Sequence, residues 1–146
     1  MKFTAPAPAR VLLVDDNRDG LLVRRALLEE QGFQVKMAAD PEEGLRLFET
    51  HDFDVVVTDY RMPRMNGTEL IERLRQRNPQ ARIVLISSLV DPLGLTEENT
   101  GADAVIAKNS NEPVHLLRTV RRLSNRSGRK PPRSQQRTAP RRLVRA

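Results

Sequence analysis

Two hydrophobic runs that end in aspartate limit what this chain can fold into. Residues 11–14, VLLV, lead straight into Asp15 and Asp16, and residues 55–57, VVV, lead through Thr58 to Asp59. Both runs are β-branched or leucine throughout and do not alternate with polar residues, which predicts parallel strands covered on both faces. Strands buried along their length do not normally end in clustered negative charge without a partner, so the three acids belong to a reactive site. If the two strands lie side by side and point the same way, Asp15, Asp16 and Asp59 share one rim of the sheet, where open α/β folds keep their sites.

Two further runs add to that rim. Residues 82–86, RIVLI, end in Ser87 and Ser88, and residues 104–107, AVIA, end in Lys108. Three like charges so close together need protons or a cation to offset them. An all-oxygen set with room for water suits Mg²⁺, whereas zero cysteines and only two histidines argue against a soft-metal centre. Beside such an ion Lys108 has a use as a point charge for a phosphoryl group. The plainer alternative is that the acids are solvated loop residues and Lys108 neutralises one of them.

Taken in order, the acidic pair Asp15-Asp16, the string Asp59-Tyr-Arg-Met-Pro-Arg-Met-Asn-Gly67, Ser87 after its hydrophobic run, Gly101-Ala102-Asp103 and Lys108 resemble a CheY-like response-regulator receiver domain of bacterial two-component signalling. The resemblance extends over residues 10–123. It implies an α/β fold, a doubly wound five-stranded parallel sheet of the flavodoxin-like, receiver type with flanking helices. It also implies that Asp59 is the phosphoacceptor, that Asp15, Asp16, Asp59 and the backbone carbonyl of Arg61 ligate Mg²⁺, and that Ser87 and Lys108 hold phosphoryl oxygens. A metal ion and an ammonium would offset charge on the transferring oxygens. Met62-Pro63 and Gly67 would shape the loop over the site, the proline fixing φ and the glycine available where φ is positive. Nothing besides Asp59 reads as a nucleophile or general base, so the chain is expected to be a phosphoacceptor and not an enzyme with its own turnover substrate.

Three departures from the family pattern stand out. Residues 89–95, LVDPLGL, carry proline and glycine where a receiver begins its fourth helix, so that helix should be short, from near Thr96 to before Gly101. Val105 stands where an aromatic is usual, which removes a rotating ring as the readout of phosphorylation. Asn109 follows Lys108 where the family commonly has proline after a cis bond; a cis bond before a non-proline residue costs about 2.5 to 4 kcal/mol.

Helix signals recur between the strands. Residues 19–31 carry an apolar helical pattern stopped by Gly32, Asp40-Pro41-Glu42-Glu43 reads as an N-cap with proline at the first helical position, and residues 68–77 form a helix closed by Asn78-Pro79. The alternation over 32–37 suits an edge strand.

Charge divides the chain. Residues 1–117 hold 14 Lys and Arg against 19 Asp and Glu, whereas residues 118–146 hold 11 Lys and Arg and no acid. We therefore expect a flexible N-terminus over 1–9, a receiver domain over 10–123 and a disordered Arg-rich tail over 124–146. The expected partners are a sensor histidine kinase or phosphotransfer protein, with a homodimer and non-specific nucleic acid or an acidic partner of the tail as further candidates. No run is long and apolar enough to span a membrane, and a cytoplasmic location is the default expectation. Two functions follow: a phosphorylatable single-domain response regulator, or a receiver-like adaptor that works through protein or nucleic-acid contacts without conventional switching.

Overall fold

Continuous apolar runs become central strands because both faces of each must be covered. The computed structural model describes residues 7–129. Strands β1 (Arg10–Val14), β2 (Gln34–Ala38), β3 (Val55–Asp59), β4 (Ile83–Ser87) and β5 (Ala104–Ala107) form one sheet in the order β2-β1-β3-β4-β5. Every pairing is parallel. The three central strands are buried almost throughout, while β2 lies at the edge and alternates in exposure, as its sequence pattern predicts.

Helices cover both faces. On one side Leu12, Val14, Val56 and Leu85 pack with Leu45, Leu70, Ile71 and Leu74 of α2 (Pro41–Thr50) and α3 (Gly67–Arg77). On the other, Val11, Leu13, Val57, Val84 and Ile86 pack with Leu21 and Leu28 of α1 (Arg18–Glu30) and with Leu116, Val120 and Leu123 of α6 (Glu112–Arg129). Burying each such side chain stabilises the fold by roughly 1.5–3 kcal/mol. The sheet is thereby doubly wound, and its carboxyl rim is left for chemistry.

Local caps set the helix starts. Asn17 accepts the Gly20 N–H, Asp40 accepts the Glu43 N–H, and Asn66 and Glu69 form a reciprocal capping box at α3. Arg75 near the end of α3 ties three elements together. Its guanidinium donates to the carbonyls of Ala81 and Gly101 and to Asp103, whose Oδ2 also accepts the Ile83 N–H at 2.7 Å.

The segment between β4 and β5 differs from expectation in one respect. The short helix α5 (Glu97–Thr100), capped by Thr96 and closed at Gly101 with φ 83°, was predicted, but a further turn, α4 (Val90–Leu93), precedes it. Pro92 fits there because it falls in the first turn, where no N–H is required. The helix α6 also continues to Arg129, beyond the boundary expected at Leu123. Ser124-Asn125-Arg126-Ser127 contains no proline, and the first one lies only at Pro131. Most of the basic tail, residues 130–146, and residues 1–6 of the expected flexible N-terminus lie outside the described residues.

Candidate functional site

Parallel pairing brings the strand ends into line. Val14 is in register with Thr58, Asp59 with Ile86, and Ser87 with Ala107. The residue that follows each of β1, β3 and β5 is pinned by the neighbouring strand: the Asp15 N–H donates to Ala38 O, Tyr60 to Ile86 O, and Lys108 to Ser87 O. Backbone geometry alone therefore delivers Asp15, Asp59, Ser87 and Lys108 to one rim.

Side chains converge there. Each of Asp15, Asp16 and Asp59 offers a carboxylate oxygen, and these oxygens lie within 4.8 Å of one another. Asp15 and Asp59 are buried and Asp16 is exposed, which gives the group a wet side. Lys108 reaches Asp59 with Nζ 2.9 Å from Oδ1. The described residues contain no cis peptide bond, so Lys108 makes this contact with a trans bond to Asn109. Burial raises the pKa of Asp59, the charge of Asp15 pushes the same way, and Lys108 with the Tyr60 N–H only partly offsets them.

The remaining expected residues fall around this centre. Ser87 is buried, and its Oγ accepts the Leu89 N–H at 2.9 Å. Arg61 is exposed on the loop after β3. The glycine at 67 serves a different purpose from the one expected. It is not among the described residues with positive φ; that conformation falls to Arg64, at 70°. A Cβ at Gly67 would instead meet Asp59 O and Leu85 Cδ1 at 2.7 Å, so the position needs space. Val105 is half-buried against the core and its N–H donates to Glu97 Oε2.

One participant escapes the sequence reading. Arg24 of α1 donates through Nη1 to Asp15 Oδ2 at 2.9 Å and through Nε to Glu112 Oε2 of α6 at 2.8 Å. Burial pulls the guanidinium's pKa down, but Glu112 and Asp15 outweigh it, and the net shift is upward. The available signal was a charged residue on the buried stripe of α1, between Leu21 and Leu28. A helix face that buries leucines does not normally include an arginine without acidic partners.

Clustered acids, a lysine paired to one of them, and a doubly wound parallel sheet define a receiver-type fold. A family model for the response regulator receiver domain matches residues 11–121. The chain belongs to that family, the receiver domains of response regulators in two-component signalling. Among curated relatives, a gliding motility regulatory protein of Myxococcus xanthus is 34% identical over 82% of this chain and 16% of its own length. The transcriptional regulatory protein CpxR of Escherichia coli is 36% identical over 80% of this chain and 50% of its own. The chain thus spans half or less of the length of these relatives. Among solved structures, a CheY-like receiver from Methanospirillum hungatei aligns with a TM-score of 0.73 at 31% identity, covering 83% of this chain and 97% of that one. The response regulator TrrA of Thermotoga maritima, solved in complex with Mg²⁺-BeF, aligns at 0.71 with 27% identity, covering 79% and 98%. No helix among the described residues is long and apolar enough to cross a membrane.

Proposed function

We propose that this chain is a response regulator that accepts a phosphoryl group on Asp59 from a phosphohistidine of a sensor histidine kinase or phosphotransfer protein. The observation that carries this reading is the buried Asp59 carboxylate held 2.9 Å from Lys108 within an acidic trio. A carboxylate oxygen of Asp59 forms the bond to phosphorus as the phosphorus–nitrogen bond breaks, and a proton is taken up by the leaving imidazole. Lys108 Nζ passes from Asp59 to the phosphoryl oxygens, where charge accumulates. The Ser87 hydroxyl donates to another oxygen, while the Leu89 N–H keeps Oγ aimed at the rim.

The donor set fits Mg²⁺: all oxygen, with two buried carboxylates and one exposed. Asp15, Asp16, Asp59 and the Arg61 carbonyl would hold it, and when bound it would supply positive charge to the transferring oxygens. The chain itself is a phosphoacceptor and not a turnover enzyme.

Output is proposed to run through protein contacts, with kinase, homodimer and, through the basic tail, polyanionic partners as candidates. Val105 favours this reading: with no aromatic ring at that position, the state of Asp59 is not reported by a side chain swinging between buried and exposed sites. A cytoplasmic location accords with phosphoryl transfer of this kind.

Intact-mass measurement after treatment with a small phosphodonor tests the assignment. One phosphoryl group is expected on the wild type with Mg²⁺, suppressed by EDTA and absent from Asp59→Asn. Equal addition to Asp59→Asn would sink it.

A further inference from the structure

Arg24 supplies the rim with a second resident cation, besides Lys108, and its placement has a consequence for metal affinity. Both oxygens of Asp15 already accept hydrogen bonds: Oδ1 from the Asn17 N–H at 2.9 Å and Oδ2 from Arg24 Nη1 at 2.9 Å. The Arg24 and Asp15 side chains are 12% and 3% exposed, so water screens the pair weakly. A guanidinium does not shed its proton in proteins, so this positive charge is permanent. Glu112 grips the far side of the same guanidinium through Nε at 2.8 Å and Nη2 at 3.4 Å, which fixes its direction toward Asp15.

The local packing is built around this contact. A Cβ at Gly20 would lie 3.0 Å from Arg24 Nη1 and 3.2 Å from Asp15 Oδ2. The helix therefore presents a bare backbone at the one place where the guanidinium and carboxylate pass.

We propose that Arg24 is a positioning residue that holds Asp15 in place, lets the acidic rim fold without a divalent ion, and lowers the site's affinity for Mg²⁺, with Glu112 on α6 moderating that opposition. This rests on the assignment of Asp15, Asp16 and Asp59 as metal ligands. A cation beside Asp15 repels a second cation arriving at the same carboxylate. Glu112 draws part of that charge away, so α6 takes part in setting metal affinity from outside the ligand set.

Titration calorimetry with MgCl₂, paired with thermal unfolding in EDTA and in Mg²⁺, tests this on the full chain. Arg24→Gln is expected to bind Mg²⁺ about three- to tenfold more tightly than wild type. It should also unfold at a lower temperature in EDTA and recover more on adding Mg²⁺. Glu112→Gln is expected to shift metal affinity the opposite way, to weaker binding, and provides the test should Arg24→Gln fail to fold. A role that is only structural predicts weaker binding in both variants. Unchanged or weaker binding in a folded Arg24→Gln, or unchanged or tighter binding in Glu112→Gln, overturns the proposal while leaving the metal site intact. Absence of Mg²⁺ binding in wild type and in Arg24→Gln alike overturns the metal assignment and the proposal with it.

Discussion

Lys108 Nζ and Asp59 Oδ1 lie 2.9 Å apart although their strands do not touch. Strand β4 runs between β3 and β5, so the lysine side chain crosses the end of a strand to reach its carboxylate. The Lys108 side chain is 31% exposed and that of Asp59 is 9% exposed, so the amine retains access to water while the acid is largely withdrawn from it. Under the proposed function, that asymmetry would let Lys108 leave Asp59 for an incoming phosphoryl group without losing solvation.

Removing the amine is therefore expected to affect transfer more than folding. Lys108→Ala is expected to slow phosphoryl transfer to Asp59 by about tenfold or more, with a change in unfolding free energy of no more than about 1 kcal/mol. Quench-flow phosphorylation with a small phosphodonor, together with urea unfolding, checks both halves. Equal loss in rate and stability would mean that the lysine is mainly a structural counterion.

Asp59 should make the metal-free protein sensitive to pH. Its folded-state pKa is raised by burial, so the folded chain binds this proton more readily than the unfolded chain does. The associated stability is fully present below the unfolded carboxylate pKa, about 3.9, and is lost as pH rises through the higher folded value. Asp59→Asn should thus be more stable than wild type at neutral pH in EDTA, and the difference should shrink as pH falls through the carboxylate range. Thermal midpoints from pH 4 to 8 decide this; an offset that does not vary with pH, or has the opposite sign, contradicts it.

Gly67 is predicted to be intolerant of any side chain. Alanine there would press against the Asp59 carbonyl and Leu85 Cδ1, both 2.7 Å from the added carbon. Overpacking of this kind typically costs about 1–3 kcal/mol. Because one of the crowded atoms belongs to Asp59, Gly67→Ala should also lower the phosphorylation rate. Chemical denaturation and intact-mass kinetics on the same variant measure the two effects, and a wild-type result in both would show that the loop yields freely.

Several features were legible in the sequence because their physics is local. Apolar runs at 11–14, 55–57 and 83–86 must be buried on both faces, which makes them central parallel strands, and the acids that close the first two share one rim once those strands lie side by side. The cap at Asp40 satisfies an N–H group only three residues away, so the start of α2 could be read directly. Tertiary structure decided what depends on groups distant in the chain. Arg24 and Glu112 are 88 residues apart, and nothing near either one announces the other. The need for glycine at 67 arises from a neighbouring strand's side chain and a backbone carbonyl, not from its own dihedral angles. The reach of Lys108 to Asp59 likewise follows from strand order and register. A local pattern can select an element and orient its faces, but a contact across the sheet exists only once the elements have packed.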